Sequence, residues 1–167
     1  MTSARNLILE DAQVRQKIRR MAYEVYENNF AEKSIVLAGI DGQGYLLATL
    51  LGKEVSSISQ LKVITVKVLM DKEAPQKSEV TLDIDVEDLA KKSVLLVDDV
   101  LNTGRTLAYG MKPFLSIEVR KIEVAVLVNR SHPSFPVQPK YTGYELSTTL
   151  HEHVTVVLGP KSAVYLD

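Results

Sequence analysis

Residues Ser93–Thr106 read SVLLVDDVLNTGRT. Four apolar residues, Val94–Val97, run straight into two adjacent carboxylates, Asp98 and Asp99, and then into a small polar turn. A continuous apolar run of this length is what a strand buried on both faces requires. Such a strand has no need of carboxylates at its end, and a surface loop has no need of buried residues before it. The chain is therefore expected to leave a sheet after Val97, with Asp98 and Asp99 at its carboxyl edge.

Other segments supply the rest of that sheet. Ser34–Ile40 (SIVLAGI) is a short apolar run and reads as a buried strand. Leu61–Met70 and Lys121–Arg130 are rich in β-branched residues and read as strands. Val80–Val86 alternates apolar and polar residues like a half-buried strand, and His153–Gly159 reads as a last strand. In Asp11–Asn29, Val14, Ile18, Met21, Ala22 and Val25 recur at helical spacing, with Arg15, Lys17, Arg19 and Arg20 on the outer face. Tyr45–Val55 reads as a second helix and Arg105–Ser116 as a third, its second half disturbed by Pro113. Asp71–Glu79 and Ser131–Gly143 read as loops, and Tyr144–Leu150 offers no recognisable chemistry. Alternating strands and helices with near-continuous apolar strands imply an α/β fold, a mostly parallel central sheet flanked by helices.

In such sheets ligands sit beyond the carboxyl ends of the strands. Two strand ends carry chemistry. The pair Asp98–Asp99 offers acceptors for sugar hydroxyls or a magnesium ion. Asn102, Thr103, Gly104 and Thr106 must turn and start a helix, and their N–H groups can cradle a phosphate. Arg105 either adds positive charge there or faces solvent. The second end, Gly39–Gly44, holds three glycines in six residues, which lets a backbone approach an anion closely. Each feature has a plainer reading: an acid pair can be a solvated strand end, and Thr-Gly can be a helix start. Together, an acid pair and a phosphate cradle within nine residues describe a receptor for a sugar phosphate.

The bulk composition fits. The 167 residues are 46% hydrophobic and 25% charged, with a net charge of -1, which indicates one domain without the excess charge of a nucleic-acid coat. No cysteine is present, which removes disulfides, thiolate metal sites and cysteine nucleophiles. The first residues carry no apolar signal core and no run reaches membrane-spanning length, so a cytoplasmic protein without membrane contact is expected.

The segment VLLVDDVLNTGRTL resembles the phosphoribosyl diphosphate (PRPP) signature of the type I phosphoribosyltransferases: an apolar run, two acidic residues, and a loop ending Thr-Gly-[Arg/Lys/Gly]-Thr. Further segments, VRQKIRRMAYEVYENN, VLAGIDGQGYLLATLL and VAVLVNRSHPSFPV followed by YTG, are similar to the bifunctional pyrimidine-operon attenuator/uracil phosphoribosyltransferase branch. The resemblance implies one phosphoribosyltransferase domain over residues 1–167, with a small hood above the sheet. It implies transfer of the phosphoribosyl group of PRPP to uracil, giving UMP and pyrophosphate, with Mg²⁺ bound along with PRPP. Asp98 and Asp99 would then be catalytic, holding the ribose hydroxyls and Mg²⁺, the latter either directly or only through the substrate. Asn102, Thr103, Gly104, Arg105 and Thr106 would hold the 5-phosphate, and Ile40, Asp41, Gly42, Gln43 and Gly44 the pyrophosphate. Asn129, Arg130, Ser131 and His132 would lie on the base side, and a homodimer or higher homo-oligomer is implied.

Several positions depart from that pattern. Asp41 and Gln43 stand where the pyrophosphate loop is expected to be basic, and Asp71–Glu79 is shorter than the closing loop of relatives, with Lys72 and Lys77 its only cations. Asn129 replaces an expected aspartate. These departures leave open a catalytically weakened PRPP- or nucleotide-binding regulator on the same fold. Tyr23, Pro133 and Gln138 replace basic residues that relatives use to bind messenger RNA, so RNA binding is disfavoured. His151 and His153 could pair on a metal, but with no third ligand evident they read as surface residues.

Overall fold

The computed structural model describes residues 5–167. Six strands form the central sheet: β2 (Ser34–Ile40), β3 (Lys62–Leu69), β4 (Thr81–Leu82), β5 (Ser93–Leu101), β6 (Lys121–Asn129) and β7 (Tyr141–Glu145), in the order β4-β3-β2-β5-β6-β7. Only β4 is antiparallel to its neighbour. A smaller antiparallel sheet of three strands, in the order β1-β9-β8, joins the two ends of the chain: β1 (Asn6–Leu9), β8 (Val154–Val157) and β9 (Ala163–Leu166).

The helices divide between the two faces, each with its own core. Helices α1 (Asp11–Asn29) and α2 (Gln43–Ile58) cover one face, where Val14, Ile18, Met21, Leu47 and Leu51 pack on Leu37, Leu95, Val97 and Leu127. The short helices α3 (Arg105–Gly110) and α4 (Lys112–Leu115) cover the other, where Leu107 and Phe114 pack on Ile40, Leu96, Val124 and Val126. With both faces covered, the central strands can be apolar throughout, as Val94–Val97 are. The helix expected over Arg105–Ser116, with its second half disturbed by Pro113, is two short helices that meet at Met111. Pro113 has no N–H to bond the preceding turn, so the helix cannot run through.

Other expectations are corrected. The strand over residues 80–86 shrinks to Thr81–Leu82, and Val86 starts a 3-10 turn running to Leu89. Tyr141–Gly143, read as loop, begins edge strand β7. Its outer side is not left bare, because Arg20 donates to the carbonyls of Thr142 (2.9 Å) and Gly143 (2.7 Å). Strands β1 and β9 went unread. They are held together far from each other in sequence, and the Asp11 carboxylate, accepting from Ser162 N–H at 2.7 Å, ties α1 to the turn before β9.

Close approach of α2 to β2 needs a bare backbone at Gly39. A methyl there would sit 2.5 Å from Tyr45 Cα and 2.8 Å from the Gly44 carbonyl oxygen. Gly39→Ala is expected to cost about 2–3 kcal/mol by overpacking, and thermal denaturation should show a Tm lower by roughly 5–10 °C for a chain of this size.

Candidate functional site

Strand order reverses between β2 and β5. From β2 the chain crosses over α2 to β3 on one side, and from β5 it crosses over α3 and α4 to β6 on the other. The two strands stay paired as far as Gly39↔Val97. There β2 ends and the chain turns through Asp41 and Gly42, with Gly42 at φ +98° as the cap of α2. Strand β5 does not leave the sheet after Val97 as foreseen. It continues against β6 to Leu101↔Asn129, so Asp98 lies opposite Val126 within the ladder. The edge that β2 vacates is the crevice where open α/β sheets bind ligands.

The two aspartates differ in environment. Asp98 is 6% exposed, and its Oδ1 accepts from Asp99 N–H at 2.9 Å. Burial pushes its carboxyl well above the ordinary carboxylate range and the Asp99 charge adds to this, while the Asp99 N–H and the Lys72 ammonium counter it only in part. Asp99 is half-buried and faces the cleft. A volume of about 300 Å³ opens here, lined by Lys72, the segment Asp98–Leu107, and His153–Val156 of the small sheet.

After β5 the chain turns at Gly104, which sits in the left-handed region at φ +88°. The turn is pinned from behind: the Thr103 carbonyl accepts from Ser134 N–H (2.9 Å) and Phe135 N–H (3.1 Å). The N–H groups of Thr103, Gly104 and Thr106 find no acceptor among the described residues. These donors lie at the cleft, where an anion would satisfy them.

Arg130 is 8% exposed and its guanidinium makes four hydrogen bonds. It donates to Asn102 Oδ1 (2.7 Å), Thr148 Oγ1 (2.9 Å) and the carbonyls of Thr149 and Glu152. The same segment receives His132, whose Nε2 lies 2.6 Å from the Thr148 carbonyl oxygen. Thr149 N–H donates to the Glu152 carboxylate and holds it below its ordinary value.

The phosphoribosyl transferase domain family matches residues 6–162, almost the whole described chain. The chain belongs to this family. It is 35% identical over 161 residues to the bifunctional protein PyrR of Staphylococcus epidermidis, and 31% identical over 161 residues to that of Clostridioides difficile. These alignments cover 91% of both chains in the first case, and 90% of this chain and 89% of the relative in the second. Among solved structures, a hypoxanthine phosphoribosyltransferase of Staphylococcus aureus matches with a TM-score of 0.70 at 19% identity, covering 90% of this chain and 85% of that one. The hypoxanthine phosphoribosyltransferase of Trypanosoma cruzi matches with a TM-score of 0.73 at 15% identity, covering 86% and 82%. At these identities the structural likeness is one of fold.

Within this phosphoribosyltransferase fold, the residues singled out in the sequence separate into two groups. Asp98, Asp99 and Asn102–Thr106 line one cleft. Of the second strand end, Ile40 is buried in β2, while Gln43 and Gly44 belong to the first turn of α2, which leaves a turn of two residues. Asp41 points to Lys67 (3.9 Å), and Gln43 Oε1 accepts from Leu158 N–H (2.9 Å) beside the small sheet. Arg105 is half-buried at the cleft. Its Nη2 donates to the carbonyls of Lys72 (3.0 Å) and Glu73 (3.1 Å). Asn129 Oδ1 accepts from Ser131 N–H, which supports the positive φ of 59° at Ser131. Thr148 and Thr149, in the segment Tyr144–Leu150 that offered no recognisable chemistry, and Glu152 are acceptors that hold Arg130. Their only signal was two adjacent threonines after a strand. His153 is exposed, in keeping with the surface reading, and lines the cleft. Among the described residues no three metal-ligating side chains cluster.

Two outcomes follow from these environments. Arg130→Met strips Asn102, Thr148 and two carbonyls of their donor, and should cost about 2–4 kcal/mol, read as a lowered midpoint in urea denaturation. Asp98 binds its proton more tightly folded than unfolded, so it contributes a loss of stability as pH rises from about 4 toward its raised value. At pH 7 without ligand, Asp98→Asn should therefore match or exceed the wild-type Tm. A Tm lower by more than about 5 °C would mean that an anionic Asp98 anchors the fold.

Proposed function

We propose that the chain transfers the phosphoribosyl group of PRPP to a pyrimidine base, uracil, releasing pyrophosphate. The observation that carries this reading is the single cleft at the β2/β5 switch point. There an acid pair and a turn of unpaired N–H groups line the cleft, and the glycine-capped start of α2 packs against Asp98 at its border. Asp98 and Asp99 receive the ribose hydroxyls, and the N–H groups of Thr103, Gly104 and Thr106 receive the 5-phosphate. The Gly42 end of α2 receives the diphosphate, and the segment Asn129–His132 forms the base side. The choice of uracil rests on the sequence resemblance to the attenuator/uracil phosphoribosyltransferase branch and on relatives named PyrR.

The chemistry needs charge placed at two points. Breaking the bond between C1 and the diphosphate develops positive charge on the sugar and negative charge on the leaving group. The Asp99 carboxylate faces the first. Asp98 and Asp99 bring carboxylate oxygens side by side at the cleft, donors that fit a hard cation. Mg²⁺ would be held by Asp99 together with the substrate's own oxygens, and it supplies neutralisation of the diphosphate. The small sheet lies over the carboxyl end of β5 and shields the sugar from water on that side.

Two geometric facts favour turnover over a purely regulatory role. Asp41, which would repel a diphosphate, is paired with Lys67. The backbone cap at Gly42 remains available beside it. A role in RNA binding draws less support. On α1, Arg15 pairs with Asp11 (2.9 Å), Arg19 with Glu54 (3.7 Å) and Arg20 with Glu24 (3.4 Å), so the basic stripe is largely compensated. A dimeric or larger assembly and a cytoplasmic setting are part of this reading. No helix of the described residues is long and apolar enough to cross a membrane.

Pyrophosphate release from PRPP with Mg²⁺ and each common nucleobase in turn tests the assignment. Release with uracil is expected, and Asp99→Asn should lower it about a hundredfold. Binding of PRPP with no release for any base would make the protein a regulator.

A further inference from the structure

We propose that Lys72 is the cation that receives the diphosphate, and that Arg105 is the residue that positions it. The proposal rests on the phosphoribosyltransferase reading and adds to it a charge that the glycine turn itself lacks. Asp41 and Gln43 flank Gly42, and the nearest positive side chain of the sheet, Lys67, is committed to Asp41 (3.9 Å) and to the face of the Tyr45 ring (4.7 Å). A diphosphate at Gly42 would meet backbone N–H groups and no cation from this turn.

The cation comes from the neighbouring loop. Lys72 Nζ lies 3.3 Å from the point where a Cβ on Gly42 would stand, and Lys72 lines the same cleft as Asp98 and Asp99. Its ammonium therefore sits over the start of α2, on the side facing the acid pair. Lys72 bears a long, flexible side chain, so its reach is only useful if its backbone is fixed.

The backbone is fixed. Asp71 Oδ1 accepts from Glu73 N–H (3.1 Å) and Ala74 N–H (3.3 Å), Lys77 N–H returns to the Ala74 carbonyl (3.0 Å), and Pro75 is buried. Across the cleft, Arg105 Nη2 bridges the carbonyls of Lys72 and Glu73. Residues 71–77 thus form a short folded turn clamped to the turn at Gly104. One guanidinium links the loop that carries the cation to the start of α3. As the bond between C1 and the diphosphate breaks, its electron pair goes to the departing oxygen. The Lys72 ammonium donates hydrogen bonds to that anion.

Calorimetric titrations of Mg²⁺–PRPP, Mg²⁺–pyrophosphate and UMP into wild type, Lys72→Met, Arg105→Gln and the double variant test this. Lys72→Met is expected to weaken PRPP and pyrophosphate about tenfold, while UMP, which has only the 5-phosphate, stays within about twofold. Arg105→Gln should weaken the same two ligands, spare UMP, and add nothing in the Lys72→Met background. Unchanged PRPP affinity in Lys72→Met, or an equal loss for UMP, overturns the role of Lys72. Loss of UMP binding in Arg105→Gln, or additive losses in the double variant, overturns positioning and makes Arg105 a direct phosphate ligand. Failure of the wild type to bind either PRPP or pyrophosphate overturns the phosphoribosyltransferase reading itself, and this inference with it.

Discussion

A Cβ on Gly44 would stand 2.8 Å from Asp98 Oδ1 and 3.0 Å from the Val97 carbonyl oxygen. Most of the cleft depends on that missing carbon. Without a side chain, the first turn of α2 can lie directly against the acid pair where β2 stops and β5 goes on. The backbone that follows Gly42 and the carboxylates that follow Val97 are thereby brought to one point from opposite sides of the switch. Any larger residue would drive α2 away from β5 and separate the two halves of the site.

The same contact explains the charge state of the site. Packing α2 against β5 removes Asp98 from water, and desolvation raises its pKa. Asp99, one residue on, keeps access to the cleft. Two adjacent carboxylates therefore have different characters, set by which side of the helix start each occupies. Around them, long-range polar contacts fix the loops: Arg130 binds Asn102 to residues 148–152, Gln43 binds α2 to Leu158, and Arg105 binds the start of α3 to residues 72 and 73. Each joins a loop at the cleft to an element distant in sequence.

The central sheet and both site turns were legible because their signals are local. Val94–Val97 can only be buried on both faces, and Gly104 marks a turn that needs a positive φ. The overrun of β5 was not legible, since Asp98 and Asp99 have poor strand propensity and are held there by pairing with β6. The small sheet was missed for a similar reason. Strands β1 and β9 have four residues each and are defined by Asn6↔Leu166, a pairing that no local pattern announces. Arg105 and Arg130 were singled out as site candidates, but a sequence cannot show that a guanidinium spends its donors on main-chain carbonyls. Thr148 and Thr149 became visible only through that arginine.

A crystal structure of the protein with Mg²⁺ and PRPP tests the central claim most directly. The account predicts ribose hydroxyls within hydrogen-bond distance of the Asp98–Asp99 pair, the 5-phosphate against the N–H groups of Thr103, Gly104 and Thr106, and the diphosphate at Gly42. A diphosphate bound away from the start of α2, or a ribose that leaves both aspartates uncontacted, would contradict it.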